Sequence, residues 1–397
     1  MRVHSPKLIV VLSATIAITG SNLFFSSPKD LPNSQSSNAD IPSCRSCHLA
    51  ITDSFILTAH YFDSRPADSS SIKGSFEQGK NRYRYNQFME VVMIRKDNRF
   101  RQSAQVNGQE TITAPFDMVI GSGRNGQTYF SWSGNQLYQL PVSYYAPAHQ
   151  WCNSPGFPNY FLFERQVPSN CMECHSTQVN VLSHETNEYD GASIVYGITC
   201  VRCHPGASEH AAYHAAHPQE KVSKYVVNAS HLGRQLRMDA CALCHSGQRT
   251  PIQPPFSFKV GDTLEKYSLG SPVSQRADTL DVHGNQYGLL TSSKCYIKSA
   301  NMDCSTCHDV HTNQYKDPKL FSSKCVTCHT EIKHLTPQVK NIMSISDNCV
   351  DCHMPVLASK KIQLNVKGGE QLLPDYLRTH FISIYKKATE DFIRKHR

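Results

Sequence analysis

Cys200-Val-Arg-Cys203-His204 is the stretch whose reading decides the rest of the chain, because its form returns again and again. The other copies are Cys44-Arg-Ser-Cys47-His48, Cys171-Met-Glu-Cys174-His175, Cys241-Ala-Leu-Cys244-His245, Cys304-Ser-Thr-Cys307-His308, Cys325-Val-Thr-Cys328-His329 and Cys349-Val-Asp-Cys352-His353. Every C-x-x-C pair in the 397 residues is followed at once by His. A disulfide framework has no reason to repeat one fixed pentad. Zinc ribbons use C-x-x-C pairs but do not need a His after each of them.

The chemistry that requires this spacing is covalent capture of haem. Two thiols one helical turn apart share a face, so they reach two vinyl groups on one porphyrin edge. The adjoining His swings under the ring and offers its imidazole to iron. The sequence therefore predicts seven covalently attached c-type haems. The pentad cysteines form the thioethers, and His48, His175, His204, His245, His308, His329 and His353 are the proximal ligands.

Each iron has a sixth position, and the remaining His supply candidates for it. His311 stands three residues after His308, His334 five after His329 and His210 six after His204. So short a chain cannot pass around a macrocycle, so each of these, as a ligand, serves a neighbouring haem. His60, twelve residues after His48, can serve its own haem or another. Ligation by two His lowers the potential relative to Met/His. Met354, directly after a pentad, reads as packing against a ring. Two further cysteines, Cys152 and Cys295, remain. Either they pair, closing a loop worth about 4–5 kcal/mol by chain entropy, or they stay as two thiols.

Composition agrees with a chain ordered by bound groups. Hydrophobic residues make up 39% and charged residues only 18%, whereas Cys reaches 16 and His 20. The formal charge of +8 does not argue for nucleic acid. Seven haems would add roughly −14 through their propionates and about +7 through ferric iron, leaving about +1, and no basic run is dense. Arg2 and Lys7 precede an apolar run, Leu8 to Ile18. This reads as an export signal over 1–27, cleaved or else kept as an anchor. The expected location is periplasmic or otherwise extracytoplasmic, with extracytoplasmic redox proteins as partners. A membrane is a partner only if the first segment is retained.

The chain divides at the pentads. A flexible Ser/Pro/Asn-rich linker spans 28–43 and a first haem segment spans 44–80. A β-rich insert follows at 81–165, where Glu90 to Arg95 and Gln127 to Leu140 flank a Gly/Asn turn with aromatic and β-branched residues. Haem segments with three pentads each occupy 166–250 and 301–355. A Gly/Pro/Ser-rich connection lies between them at 251–300, and a tail covers 356–397, weakly helical from Tyr376. The expected fold is mostly α and irregular, organised by haem, with a small antiparallel β insert.

This pattern resembles the multihaem cytochromes related to cytochrome c-554, also described by doubled CXXCH motifs. The resemblance runs from about Cys44 to Phe381. It is carried by Gly197-Ile-Thr-Cys200 through Pro205-Gly206 to His210, by His283-Gly-Asn-Gln-Tyr-Gly288 with Ser292-Ser-Lys-Cys295-Tyr296, by Cys304 to His311, and by Cys349 to Pro355 followed by Arg378-Thr-His380-Phe381. It implies that His210, His311 and His380 are distal ligands. His283, inside a resembling run, joins His60 and His334 as a further candidate. Pro205 stands where relatives carry Gly. The expectation is an electron carrier. The alternative is an oxidoreductase acting on a small nitrogen or sulfur compound at one five-coordinate haem. No C-x-x-C-Lys, the mark of the related nitrite reductases, is present. Tyr144, Tyr145 and His149 near Cys152 form the one local cluster that would suit an enzyme, and they read first as packing of the β insert.

Overall fold

The computed structural model describes residues 40–270, 279–314, 316–331, 334, 345–366, 368 and 372–395. The stretch read as an export signal, 1–27, and most of the expected linker lie outside the described residues. Among the described residues no helix is long and apolar enough to cross a membrane.

Strand-forming sequence dominates the first half. The strands are β1 (Ser64–Pro66), β2 (Arg82–Arg84), β3 (Met89–Lys96), β4 (Arg99–Val106), β5 (Gln109–Pro115), β6 (Met118–Ile120), β7 (Gly126–Ser133), β8 (Gln136–Gln139), β9 (Val142–Tyr145), β10 (Gln150–Asn153), β11 (Arg165–Gln166), β12 (Ser176–Ser183) and β13 (Glu188–Tyr196). β2 to β5 form a four-stranded meander, and the others join a nine-stranded antiparallel sheet. Turn chemistry sets the registers. Lys96 pairs with Arg99 across Asp97-Asn98, both at positive φ (49° and 57°), which is the geometry of a tight two-residue hairpin. Ser133 pairs with Gln136 across Gly134-Asn135, so the Gly/Asn turn read from sequence closes a hairpin.

These sheets hold their own core. Phe116 stacks on Tyr129 at 4.4 Å, and Trp151 packs beside both with its indole N–H on the Ser75 carbonyl at 2.9 Å. Trp132, Met118, Leu137 and Tyr189 fill a second cluster. Gln102 is fully buried in β4, where its amide donates to the Val142 carbonyl (2.6 Å) and accepts from the Val142 N–H (3.1 Å). The buried amide is thus paired on both sides, as burial requires, and it ties the meander to the larger sheet.

The second half is built from short helices joined by irregular chain. Its longest described helix is Arg234–His245, of 12 residues. The pentads open or close these helices: Cys171 lies in Ser169–His175, Cys200 begins Cys200–Cys203 and Cys349 begins Cys349–His353. Local capping fixes two of them. Asp303 accepts from the Thr306 N–H in a capping box, and Asn348 accepts from the Asp351 N–H, so each cap stands one residue before its first Cys.

The expectation of a mostly α and irregular chain holds only in part, since the fold is mixed. Strand pairing extends well past a small insert, because β12 and β13 follow the second pentad directly and alternate buried Val179, Tyr189, Ile194 and Tyr196 with less buried strand neighbours. In the tail, Tyr376 begins no helix. It lies in a strand, β15 (Leu373–Arg378), paired with β14 (Val356–Leu364). Helix resumes only at Lys386–Lys395, anchored by buried Phe392.

Candidate metal centres

One continuous cavity of about 3410 Å³ runs through the molecule. Small-molecule pockets usually span roughly 300–1,000 Å³, so this space suits several large planar groups rather than one ligand. All fourteen pentad cysteines and all seven pentad His line it. So do His60, His210, His283, His311, His334 and His380. His149 is not in the lining, Tyr144 packs on Trp151 at 5.4 Å, and the Tyr145 hydroxyl donates to Asp375 at 3.3 Å. Tyr144, Tyr145 and neighbouring Cys152 nonetheless line the same cavity, at its sheet wall.

The imidazoles across the cavity stand in pairs. The ring centroids of His48 and His210 are 6.3 Å apart with planes 21° from parallel. His204 and His311 are 6.2 Å apart at 17°, and His308 and His380 are 6.1 Å apart at 28°. His60 and His245 are also 6.1 Å apart, with planes at 70°. An axial nitrogen sits about 2 Å from a bound transition metal and about 1 Å from its own ring centre, so two imidazoles trans across one metal have centroids about 6 Å apart. Stacked aromatic rings in direct contact would lie closer, as Phe116 and Tyr129 do. Each pair joins one pentad His to one His from a different segment.

Comparison with known proteins agrees with this geometry. Residues 303–372, which hold three of the pentads, match the family model described as cytochrome c554 and c-prime. A crystal structure titled as the outer cell wall cytochrome OcwA shares the fold. It has 16% sequence identity and a TM-score of 0.51, with 88% of this chain and 80% of that chain covered. No curated protein matches the chain. The chain is thus similar to cytochrome c554 and c-prime over residues 303–372 and, in its fold, to an outer cell wall cytochrome.

The outer hydrogen bonds of the imidazoles suit metal ligation. The Nδ1–H of His204 donates to the Val227 carbonyl (3.0 Å), that of His353 to the Ser383 carbonyl (2.9 Å) and that of His210 to the Lys224 carbonyl (2.9 Å). A carbonyl only accepts, so it fixes the proton on Nδ1 and leaves Nε2 bare for a metal. His175 differs, because its Nδ1 faces the Asp63 carboxylate at 2.9 Å. Asp63 was not legible in the sequence, since it lies 112 residues from its partner and carries no motif.

Electrostatics point the same way. Burial, with His245 adding to it, pushes the His60 imidazole toward its neutral form. Burial does the same for His245 and His308. His380 is lowered to about 4, by burial first and His308 second. A metal-binding imidazole must be neutral, so these sites are set for it. His334 is lowered by burial and by nearby His353, which puts it beside the last pentad. His283 lies 3.4 Å from Asp375 through Nδ1, and no pentad His is paired with it among the described contacts.

Thiols from different pentads also meet. The thiols of Cys174 and Cys244, of Cys241 and Cys304, and of Cys325 and Cys349 lie within hydrogen-bonding reach of one another, each a free thiol. The two leftover cysteines do not bond to one another. Both line the cavity; Cys152 is buried in β10, its thiol pushed up to about 12 by burial, whereas Cys295 is only half-buried. The residues present therefore fit covalent haem. The pentads would hold the porphyrins and the paired imidazoles the irons, and haem so held supplies one-electron redox chemistry.

Proposed function

We propose that this cytochrome carries seven haems c, mostly ligated by two His, and relays electrons between extracytoplasmic redox partners. The observation that supports this best is the set of four imidazole pairs at 6.1–6.3 Å. With both axial positions filled, an iron can pass an electron but has no site for a substrate. The proximal roles fall to the seven pentad His. The distal roles fall to His210 at the first haem, His311 at the third, His60 at the fourth, His380 at the fifth and His334 at the seventh.

Cross-ligation of this kind would put the haems in one network. His210 and His311 would tie the third and fifth pentads to the first and third irons. The thiol contacts would set the second haem against the fourth, the fourth against the fifth and the sixth against the seventh. Export to an oxidising compartment follows from thioether attachment and from the segment over 1–27. Intact mass of the protein, matured in a host with haem-attachment machinery, tests the count. Seven haem masses are expected, and a colourless or zinc-containing product would refute it.

A second reading rests on the Asp63–His175 pair. A carboxylate on the far nitrogen makes a proximal imidazole more electron-donating, which suits an iron that activates a small nitrogen or sulfur compound at an open sixth position. A high-spin ferric signal in the oxidised wild type, shifted by Asp63→Asn, would favour that reading. Its absence favours the relay.

A further inference from the structure

Five of the pentad His have a His to serve the opposite side of iron, and the sixth pentad, Cys325 to His329, is not among them. What faces it is sulfur. The Sγ of Cys295 lies 4.0 Å from Nε2 of His329, the nitrogen that a pentad His offers to iron.

That separation is diagnostic. It stands at the outer limit for a hydrogen bond to sulfur and beyond the usual range of a charge-assisted contact. A metal–imidazole bond of about 2.0 Å and a metal–thiolate bond of about 2.3 Å, placed trans, span about 4.3 Å. Side by side on one metal, the same two atoms would approach to about 3 Å. The observed distance is within a few tenths of an ångström of the trans span, as the four imidazole pairs match theirs.

The position of Cys295 is built. It sits in the short helix Lys294–Lys298. On one side Ser293 is fully buried. Its hydroxyl donates to the Leu289 carbonyl (3.1 Å) and accepts from the Ile382 N–H (2.8 Å). This pins the helix start to the segment that carries His380. On the other side the Tyr296 carbonyl accepts from Arg234 at 2.9 Å, with the guanidinium 3.8 Å over the Tyr296 ring. The Cys295 thiol is also within electrostatic range of Cys328, the second cysteine of the same pentad. It is therefore held at the edge where that haem would attach.

Resting on the seven-haem reading, we propose that Cys295 is the distal ligand of the sixth haem, opposite His329. On ferric iron the Sγ–H bond gives way to an Sγ–Fe bond. The proton leaves to solvent and no electron is transferred. An anionic thiolate stabilises ferric iron more than an imidazole does, so the sixth haem would be the lowest-potential centre in the molecule and a place where electrons do not rest.

Electron paramagnetic resonance of the oxidised, fully matured protein tests this. The wild type should show one low-spin signal in seven with the narrow g-spread of thiolate ligation, apart from the broader His/His signals. Cys295→Ala should abolish that signal and turn one haem high-spin. Cys295→His should convert it to a His/His signal, and Cys152→Ala should leave it unchanged. A wild-type spectrum without a thiolate signal, or a spectrum indifferent to Cys295→Ala, overturns the proposal. Intact mass on the same samples separates the two claims. A protein short of the sixth haem refutes the seven-haem reading and this ligand with it. A full complement with no thiolate signal refutes the ligand alone.

Discussion

The region from Phe55 to Tyr196 and the region that follows it are ordered by different means. The first contains most of the fully buried apolar side chains of the described structure, arranged in two aromatic-rich clusters between sheets. The second contains fewer, scattered apart from one small cluster around Ala242, Phe258 and Leu264, and surrounds much of a cavity of about 3410 Å³. Close packing is the normal state of a protein interior. A void of that size is tolerable only where something else fills it, and each covalent haem would bring both apolar area and two fixed attachment points. The lesson is that one chain can combine a conventional β core with a half whose core is its cofactor.

The largest expected effect follows from removing the cofactor. In chain produced without haem attachment, limited proteolysis should cut the region beyond Thr199 at least about tenfold faster than the meander β2 to β5, because local stability tracks buried apolar contact. Equal rates in the two regions would break the contrast. The next effect lies in the conventional half. Trp132 is 2% exposed, and Trp132→Ala should cost about 3–5 kcal/mol in denaturant unfolding while leaving the haem absorption spectrum of the folded protein unchanged. A shifted spectrum would show that the two halves are not independent.

A smaller effect is set by pH. Asp117 accepts from the Trp132 N–H at 2.7 Å, and burial raises its carboxyl to about 6 from the ordinary 3.8. A carboxyl raised in the folded state favours folding while protonated, and that advantage is lost as pH rises from about 4 through about 6. The wild type should lose up to about 3 kcal/mol over this interval from this group. Asp117→Asn should flatten that part of the stability–pH curve, measured by denaturant unfolding at each pH. An unchanged slope would show that the carboxyl titrates normally.

How much of this was legible in sequence depends on how local the constraint is. The pentads were fully legible, because thioether chemistry needs five consecutive residues. The Gly134-Asn135 hairpin was legible for the same reason. The distal candidates could be narrowed, since few His stand outside the pentads and short spacings forbid return to the same iron. Their partners could not be named. Which imidazole faces His48 is decided by how the helix Asp40–Arg45 packs on Cys200–Cys203 and Ala207–Ala216, a tertiary matter. β12 and β13 were missed because the pentads beside them drew a helical reading, although their alternating burial is the mark of a strand. For Cys295 the sequence offers only a disulfide with Cys152 or an unpaired thiol, not a metal ligand. Its nearness to His329 depends on the Ser293 and Tyr296 anchors, which no local pattern announces.

The central claim is that a His from one segment and a pentad His from another share one iron, and His204 with His311 is the plainest instance. Electron paramagnetic resonance of oxidised His311→Ala, with its haem count verified by mass, tests it directly. One haem should pass from low-spin to high-spin while the other six keep their signals. A spectrum that remains as in the wild type, with no new high-spin haem, would contradict the account.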